Sequence, residues 1–446
     1  MPSSAAINAG DTAWVLVSAA LVMLMIPGLA LFYGGMVRVK SALNMLMMSV
    51  TCLAVVTVVW VLYGYSLAFG PDAGGVIGTL SDAGFSGIGV HTATGSIPTL
   101  AFAAFQLMFA AITAALLSGS IADRAKFGSW LVFVIAWVTV VYFPVAHWVF
   151  DPSGWIAKQL HVLDLAGGTV VEINSGASGL ALALVLGPRL GFRRDPMRPH
   201  SVPLVVLGGG LLWFGWFGFN AGSALASGGL ASVAFINTQV AASAGVLGWL
   251  GVELRRDKHA TSLGAVSGAV AGLVGITPAC GSVNPLGALL VGLAAGVAAS
   301  YAVGLKFRLG YDDSLDVAGV HGVGGLVGTL LIGVLATAAV TGGARGLFYG
   351  GGFTQLGRQA LAAVVVGAYA FGVSWLLARG VDRFLGFRVT RDVELAGLDL
   401  IVHGETAYDI AGHTAGVGHR IGQPAAAHVV PGQSASGHSS SAKIRP

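Results

Sequence analysis

Residues 163–168 read LDLAGG and residues 315–320 read LDVAGV, and each motif places an aspartate at the mouth of an apolar run. The first run extends over roughly residues 167–187 and the second over roughly residues 318–340. Each is long enough to cross a bilayer as a helix. The second copy comes five apolar runs after the first, so we expect the two copies to enter the membrane from opposite sides. This arrangement is typical of an inverted repeat whose site lies at the repeat interface.

Apolar runs of this kind recur along almost the whole chain, and eleven of them are predicted to be transmembrane helices. They lie at roughly residues 12–35, 43–69, 97–119, 128–150, 167–187, 202–222, 232–254, 262–280, 285–305, 318–340 and 360–384. An odd number of spans places the two termini on opposite sides of the membrane.

The Lys and Arg residues give an independent indication of the topology, because short cytoplasmic loops carry the basic excess. The loops after the odd-numbered runs hold thirteen of the 23 Lys and Arg residues. The loops after the even-numbered runs hold only Lys158, Arg345 and Arg358. This alternation predicts an N-terminus outside and a C-terminus inside.

The composition excludes several classes of protein. Hydrophobic residues make up 55% of the 446 residues and charged residues 9%, whereas about a quarter of a soluble protein is charged. Too little charge remains for bulk disorder or for phosphate contacts to nucleic acid. No phosphate loop, zinc spacing or hydrolase motif is present, so we expect neither an enzyme nor a cofactor. The 68 glycines indicate helices that pack closely on small residues.

The predicted fold class is therefore an all-α polytopic membrane protein with an inverted 5+5 repeat and one extra helix. Three divisions are predicted: a transmembrane domain at 1–386, a cytoplasmic C-terminal region at 387–423 and a disordered tail at 424–446. Within the transmembrane domain, the two halves lie at about 12–187 and 202–340, and the extra helix lies at about 360–384. The tail is assigned from its small, polar, Pro- and Gly-bearing composition.

Four ionisable residues lie in or next to the spans without an obvious route to the interface: Asp164, Glu172, Asp316 and His321. An unpaired charge at mid-bilayer costs about 2.5–3.5 kcal/mol or more, so such groups usually face a cavity or one another. We interpret Asp164 and Asp316 as caps at helix N-termini, where a carboxylate accepts N–H bonds. Glu172 lies two turns further in and has no cap to make. With His321 on the repeat-related helix, it is predicted to form a pore pair.

Aromatic residues in two runs allow two interpretations. In GGGLLWFGWFGFNAGSAL, Phe219, Asn220 and Ser223 alternate a ring with polar groups at helical spacing. Phe109 in FQLMFAAITAALL is similarly ambiguous. Such a stripe is more often core, but aromatic faces in a dry channel also attract cations.

Several segments together resemble the ammonium transporter family (Amt/Mep/Rh), and most closely its Amt/Mep branch. They are FYGGMVRVKSALNML at 32–46, FQLMFAAIT at 105–113, DLAGGTVVEINSGASGL at 164–180, GWFGFNAGSA at 215–224, AGLVGITPACG at 271–281, DVAGVHGVGGLVG at 316–328 and GLDLIVHGETAY at 397–408. The resemblance implies a homotrimer in the cell membrane, either a plasma membrane or a bacterial inner membrane. Each subunit would have its own pore between two pseudosymmetric halves.

The resemblance also implies roles for individual residues. The implied substrate-binding set is Phe109, Phe150, Asp164, Trp216, Phe219 and Ser223, and the implied pore proton relay is Glu172 and His321. Ser223 and Phe109 would form the outer recruitment site, Phe109 and Phe219 the stacked gate beneath it, and Asp164 the electrostatic support of the recruitment site.

Two positions depart from the family pattern. Glu172 stands where the family has its first pore histidine, and Phe150 stands where it has a recruitment-site tryptophan. Trp148 is close enough in sequence to be considered as a substitute for that tryptophan, although it would point from another side of the helix.

The function implied is that of an ammonium/ammonia transporter, in which ammonium is deprotonated near the phenylalanine gate and ammonia passes through a hydrophobic pore. An ammonium sensor of the same fold is the alternative, and a conductor of carbon dioxide or another neutral gas is a weaker third. GLDLIVHGETAY resembles the family's cytoplasmic tail, which implies a possible trimeric nitrogen-regulatory partner on the inner side.

Overall fold

Long apolar helices make up most of the structure, a computed structural model that describes residues 7–408. Ten helices in this part of the chain are long and apolar enough to cross a membrane, and one further apolar helix is shorter. In chain order they are α1 (Ala9–Met36), α2 (Val39–Phe69), α3 (Thr99–Ile121), α4 (Phe127–Phe150), α5 (Gly168–Leu186), α6 (Val202–Gly222), α7 (Gly229–Arg256), α8 (Ser262–Ile276), α9 (Pro285–Leu309), α10 (Ala318–Leu335) and α11 (Thr354–Leu385). The predicted all-α membrane class is confirmed. Helix α8, with 15 residues, is shorter than a usual span, so the number of eleven crossings stays a prediction.

Shorter elements connect these helices. Two small antiparallel hairpins follow α2, and they pair β1 (Asp72–Ala73) with β2 (Ile77–Gly78) and β3 (Ala93–Thr94) with β4 (Ile97–Pro98). The short helical turns are Ala83–Phe85, Ile156–Leu160, Ala338–Thr341, Leu347–Tyr349 and Asp399–His403, and a last short helix is α12 (Arg391–Ala396).

Two of the predicted runs end earlier than expected. The run predicted to reach 280 ends at Ile276, because Pro278 has no N–H to donate and the chain continues as hydrogen-bonded turns. The run predicted to reach 340 ends at Leu335. There the chain becomes extended at Ala336, and the N–H of Thr337 donates to the carbonyl of Ser282 instead of continuing the helix.

The helices approach one another through glycines, as the glycine content predicts. A Cβ atom on Gly208 of α6 would lie 2.3 Å from the backbone nitrogen of Phe32 on α1. A Cβ on Gly296 of α9 would lie 2.3 Å from the carbonyl oxygen of Gly245 on α7. These distances are too short for any side chain, so glycine is required wherever the two backbones touch.

An internal pseudosymmetry relates α5 to α10 in a definite register. Both begin with a π-helical turn and continue as a 13-residue α-helix, Asn174–Leu186 in one and Val323–Leu335 in the other. Adding 149 to the residue numbers of the first 13-residue helix gives the bounds of the second, and the same offset matches Glu172 with His321. Their contacts repeat in the same register, since Gly176 lies against Gly322 and Gly325 lies against Ile173.

This register corrects one interpretation of the repeat motifs. The carboxylate of Asp164 accepts the N–H groups of Gly167, Gly168 and Thr169 at 2.6–2.9 Å, as predicted for a cap. The matching cap on α10 is made by Asp313, which accepts the N–H of Ala318 at 2.7 Å. The prediction that Asp316 caps α10 is therefore wrong. Asp316 lies in a left-handed turn (φ 64°), and its carboxylate pairs with Lys306 at 2.7 Å.

Buried ion pairs join the helix ends on one side of the bundle. Arg189, after α5, donates hydrogen bonds to both carboxylate oxygens of Asp312 at 2.8 and 2.9 Å, and it also reaches Asp123 at 3.2 Å. Arg38, after α1, reaches the same Asp123 oxygen at 3.3 Å. These shared carboxylates fix the loops after four odd-numbered helices, α1, α3, α5 and α9, relative to one another.

The described part of the C-terminal region lies against these loops. The carboxylate of Asp399 accepts the N–H groups of Leu43 and Asn44 at the start of α2, at 3.0 and 2.8 Å. Glu394 accepts the N–H of Leu190 at 2.6 Å and pairs with Arg388 at 2.8 Å. The rest of the predicted C-terminal region and the predicted tail at 424–446 lie outside the described residues.

At the other ends of α2 and α4, the first hairpin is fastened to α4 by His147. Its Nδ1 lies 2.9 Å from the carbonyl oxygen of Ala68, and its Nε2 lies 3.0 Å from a carboxylate oxygen of Asp72. Both ring nitrogens of His147 therefore contact oxygen atoms of the segment from Ala68 to Asp72. The same Asp72 oxygen accepts the N–H of Gly75, so one carboxylate holds the hairpin to the helix.

We expect Asp72→Asn to speed hydrogen exchange of the amides at 72–78. The hydrogen bonds from His147 and Gly75 hold the pKa of Asp72 below its ordinary value of 3.8. An aspartate with a lowered pKa stabilises the folded hairpin above its unfolded-state pKa, and this stabilisation is lost as pH falls through the folded-state value. Exchange measured by mass spectrometry and corrected for intrinsic rates should show the wild-type hairpin loosening below pH 3.8. A hairpin equally protected in wild type and variant at pH 7 would contradict this role.

Candidate functional site

Glu172 and His321 meet at the centre of the bundle. The Oε2 of Glu172 lies 2.7 Å from the Nδ1 of His321, and their side chains are 1% and 6% exposed. A charge-assisted hydrogen bond of this length is among the strong contacts available to a buried carboxylate. The two residues predicted to form a pore pair are therefore brought together.

The local backbone explains why the pair forms. Each residue lies in the π-helical turn that opens its helix, and such turns are frequent at functional sites. Close contact between Gly176 and Gly322 lets α5 and α10 cross nearly backbone to backbone. A Cβ on Gly325 would lie 2.6 Å from the Cβ of Glu172, so glycine is also needed there to leave room for the glutamate.

A small apolar cavity adjoins the pair. Its volume is about 20 Å³, which is room for roughly one water-sized molecule. Apart from Glu172 and His321, its walls come from Met25, Leu29, Phe32, Ile112, Leu116, Val171, Leu212, Trp216, Phe219 and Val270. A bare cation in such a cavity loses its hydration without replacement, whereas a small neutral molecule does not incur this cost.

Two stacked phenylalanines lie beside this cavity, and one of them, Phe219, is part of its wall. The rings of Phe109 and Phe219 lie 4.1 Å apart between centroids and 18° from parallel, and each residue is 1% exposed. Trp216 lies on the cavity side of the stack, 5.8 Å from Phe219, and its indole N–H donates to the hydroxyl of Thr277 at 2.9 Å.

The predicted recruitment residues lie around the stack. Phe150 is half-buried and meets Phe109 edge to face, with 6.2 Å between centroids. Ser223 is half-buried, and its hydroxyl donates to the carbonyl of Phe219 at 2.8 Å. The hydroxyl oxygen of Ser223 keeps its lone pairs for a further donor.

Asp164 supports this region without facing it. Its carboxylate accepts three backbone N–H groups, and the hydroxyl of Thr169 donates to it at 2.5 Å. The turn it holds passes beneath Phe150, since a Cβ on Gly167 would lie 3.1 Å from the Phe150 ring. Asp164 therefore positions one aromatic wall by fixing the backbone below it.

Trp148 does not replace the missing tryptophan. Its indole N–H donates to the carbonyl of Val76 at 2.7 Å, and its ring packs on Tyr369 with 4.7 Å between centroids. The sequence predicted that Trp148 would point from another side of the helix than Phe150, and this is confirmed. Two residues along a helix turn a side chain to a different face.

A second cavity continues from the pair toward the side of the buried ion pairs. Its volume is about 220 Å³, and it shares Phe32, Val270 and His321 with the small cavity. Asp316 and Glu253 line it further along. The stack, the small cavity, the acid–imidazole pair and the second cavity are therefore linked through shared wall residues. We call this succession the path, the second cavity the inner cavity, and the end beside the buried ion pairs the inner end.

Sequence reasoning missed the apolar wall of the path and the capping role of Asp313. Phe32, Leu212 and Val270 look like any other residue of an apolar helix, and no sequence signal separates pore wall from core. For Asp313 a signal existed, because Asp312 and Asp313 form an acidic pair just before the helix. Burial raises the pKa of Asp313 to about 6, and the neighbouring Asp316 carboxylate adds to the rise.

Comparisons with known proteins agree with the resemblance found in the sequence. A family model described as Ammonium Transporter Family matches residues 13–408. An ammonium transporter of Mycobacterium tuberculosis is 54% identical over 434 residues, covering 91% of each chain. The crystal structure of Saccharomyces cerevisiae Mep2 is 37% identical with a TM-score of 0.81, covering 86% of this chain and 88% of that one. A structure titled Sensor Amt Protein is 31% identical with a TM-score of 0.81, covering 88% and 98%.

We expect Gly176→Ala to destabilise the protein and to lengthen the Glu172–His321 hydrogen bond. The new Cβ would lie 2.2 Å from the Cα of Gly322, so α5 and α10 must separate. Overpacking of this kind costs about 1–3 kcal/mol of unfolding free energy. Thermal unfolding in one detergent measures the effect.

Gly367→Ala is the matched control, because its Cβ would meet only the Cγ2 of Ile173 at an ordinary 3.5 Å. Equal unfolding temperatures for the two variants would show that the Gly176–Gly322 contact does not limit the helix crossing.

Proposed function

The chain belongs to the ammonium transporter family, a family of multi-pass membrane transporters rather than enzymes, and on that premise we propose that it moves ammonium across the cell membrane. In this proposal ammonium binds at the outer end of the path, loses a proton near the Phe109–Phe219 stack, and crosses the pore as ammonia. Glu172 and His321 accept or relay the proton.

The observation that carries the proposal is the buried contact between Glu172 and His321 at 2.7 Å. Both side chains are ionisable, and both line a cavity whose other walls are apolar. Because they interact strongly, they are best treated as one coupled titrating unit. A single proton shared between them is then available to whatever molecule occupies the cavity.

Selectivity follows from two properties that distinguish ammonium from potassium. Ammonium donates directional hydrogen bonds, and the free lone pairs of Ser223 accept them next to the Phe109 and Phe150 rings. Ammonium also releases a proton, after which neutral ammonia enters the apolar cavity without the desolvation cost of an ion. Potassium has neither property, so it is excluded at both stages.

Phe150 stands where the family has a tryptophan, and we expect this difference to weaken the binding of ammonium. A phenyl ring keeps a face that attracts cations, but it offers a smaller face than indole and no N–H donor. We propose that the outer site is consequently weaker than one with tryptophan, and that Asp164 keeps Phe150 in place through the turn at Gly167.

For the topology we propose eleven crossings, with the N-terminus outside and the C-terminus inside. Helix α8 would cross together with the turns that follow it, which extend the buried segment through Val283. The Lys and Arg distribution supports the orientation. Under it, the Phe109–Phe219 stack faces outside and the buried ion pairs face the cytoplasm.

We also propose a homotrimer and a cytoplasmic partner. The family resemblance supports the trimer, and an apolar groove of about 500 Å³ on α6, α7 and α8 is the surface that we assign to a neighbouring subunit. The C-terminal region at 387–423 is the proposed regulatory segment, because Glu394 and Asp399 already tie it to the inner loops. A trimeric nitrogen-regulatory protein is the partner proposed for it.

The sensor alternative has one observation in its favour, the similarity to the structure titled Sensor Amt Protein. A sensor would bind ammonium and turn over little. A succession of cavities with an acid–imidazole pair between them is of use to a transporter, so transport is the function that we propose.

We expect Glu172→Gln to lower ammonium-evoked current at least tenfold, because the glutamine amide cannot take up a proton and general acid–base groups contribute about 10²-fold or more. Glu172→His should retain much of the current, since an imidazole restores a titratable group at the same place. Solid-supported-membrane recording from reconstituted protein across a pH series measures this. Transport by Glu172→Gln that equals the wild type at every pH would exclude the relay role.

We expect Phe150→Trp to lower the ammonium concentration at half-maximal current by up to about fivefold, because indole attracts cations more strongly than phenyl and a whole cation–π contact at an exposed site is worth roughly 0.5–1 kcal/mol. Trp148→Phe is the control, since that indole is bonded to Val76 outside the path and its loss should leave the half-maximal concentration unchanged. If the two substitutions changed the half-maximal concentration equally, Phe150 would not be part of the outer site.

A further inference from the structure

A large cavity lies beside the inner end of the path and takes no part in the proposed transport. Its volume is about 640 Å³, within the range of small-molecule sites. It lies between the loop that follows α5 and the segment from Lys306 to Asp316. We call it the basic cavity, after its charged lining residues Arg189, Arg193, Arg194, Asp195, Lys306 and Asp316.

Two of the four cations in this lining already have carboxylate partners. Arg189 is paired with Asp312, and Lys306 is paired with Asp316 at 2.7 Å. Within residues 7–408, neither Arg193 nor Arg194 makes a side-chain hydrogen bond or salt bridge. The cavity therefore presents two guanidinium groups whose donors are free.

The backbone directs one of these groups across the cavity mouth. Arg193 has a left-handed conformation (φ 66°), which costs a non-glycine residue about 1–3 kcal/mol. One of its guanidinium nitrogens lies 3.5 Å from where a Cβ of Gly310 would be. The arginine thus reaches from the loop after α5 to the opposite wall, where glycine leaves space for it.

An apolar rim adjoins the charged lining. Phe192 and Phe307 stack across the two walls, with 5.7 Å between centroids and 15° between ring planes. Phe307 is 51% exposed, and Leu309 beyond it is 73% exposed. Both residues lie in the last turn of α9, at the end of a helix long and apolar enough to cross a membrane.

We propose that the basic cavity binds a phosphate-bearing anion through Arg193 and Arg194. The planar guanidinium fork matches two phosphate oxygens at once, and its hydrogen bonds to an anion are charge-assisted. Phosphate of this kind comes either from an anionic lipid headgroup or from a soluble phosphate compound. The exposed Phe307 and Leu309 favour the lipid, because an acyl chain attached to the bound headgroup would lie against them.

The site is close enough to the path to affect it. The basic cavity and the inner cavity share Met36, Leu263, Leu315 and Asp316. An anion in the basic cavity would compete with the Asp316 carboxylate for Lys306. Asp316 also lines the inner cavity, as does His321, so a carboxylate released from Lys306 would face that cavity. The occupant of the site would therefore change the charge at the inner end of the path.

The test uses the full chain in nanodiscs and two probes. In the lipid arm, the thermal unfolding temperature is compared between discs of phosphatidylcholine and discs that also contain phosphatidylglycerol. In the soluble arm, inorganic pyrophosphate is titrated by calorimetry into protein in phosphatidylcholine discs. A lipid site raises the unfolding temperature in the first arm, and a soluble-phosphate site binds in the second.

If the site binds a lipid, the double variant R193A/R194A should abolish the lipid-dependent shift in unfolding temperature. If the site binds a soluble phosphate compound, the same variant should weaken pyrophosphate binding about tenfold. Both arginines are exposed, so the variant is expected to fold. R255A/K258A removes the same charge from exposed positions at the end of α7 and should behave as the wild type. The proposal is overturned if neither probe has an effect on the wild type, if R193A/R194A keeps the full effect, or if both variants lose it equally.

Discussion

A carboxyl group and an imidazole held 2.7 Å apart in apolar surroundings are the constraint on which the rest of this structure depends. Alone, either group in ionised form would be costly at this depth. Paired, the two satisfy one another, and the surrounding helices need to supply only apolar walls and close packing. The small cavity beside the pair combines both features, since its other walls are apolar and the pair gives it an ionisable group.

The pair arises from the pseudosymmetry of the chain. Glu172 and His321 occupy equivalent positions in two helices that begin with the same π-helical turn and run for the same length. Glycines at the crossing let the two backbones touch, and capping aspartates fix the turn before each helix. Because the repeat places an acid in one half and an imidazole in the other, symmetric scaffolding yields a chemically asymmetric site.

The two ends of the path are built on different principles. The end that we place outside is aromatic, and its parts are fixed by backbone hydrogen bonds, as with Asp164 beneath Phe150. The inner end is ionic, and its loops are joined by buried carboxylates such as Asp312 and Asp399. Phosphate binding at Arg193 and Arg194 would add to the charge network at that end, where buried charges already couple the loops.

Hydropathy, helical spacing and buried charge are local properties, so the sequence was enough to predict the helical membrane class, the approximate helix bounds and the candidates Asp164, Glu172 and His321. The family, and with it Phe109 and Phe219 as candidates, came from the resemblance of several motifs together. The fold in three dimensions was needed to learn that Asp313 rather than Asp316 caps α10, that Trp148 faces Val76, and that Phe32 and Val270 line the path. Those outcomes depend on helix rotation and on which backbones touch. Rotation and contact are set by packing between segments far apart in the chain, which a local pattern does not encode.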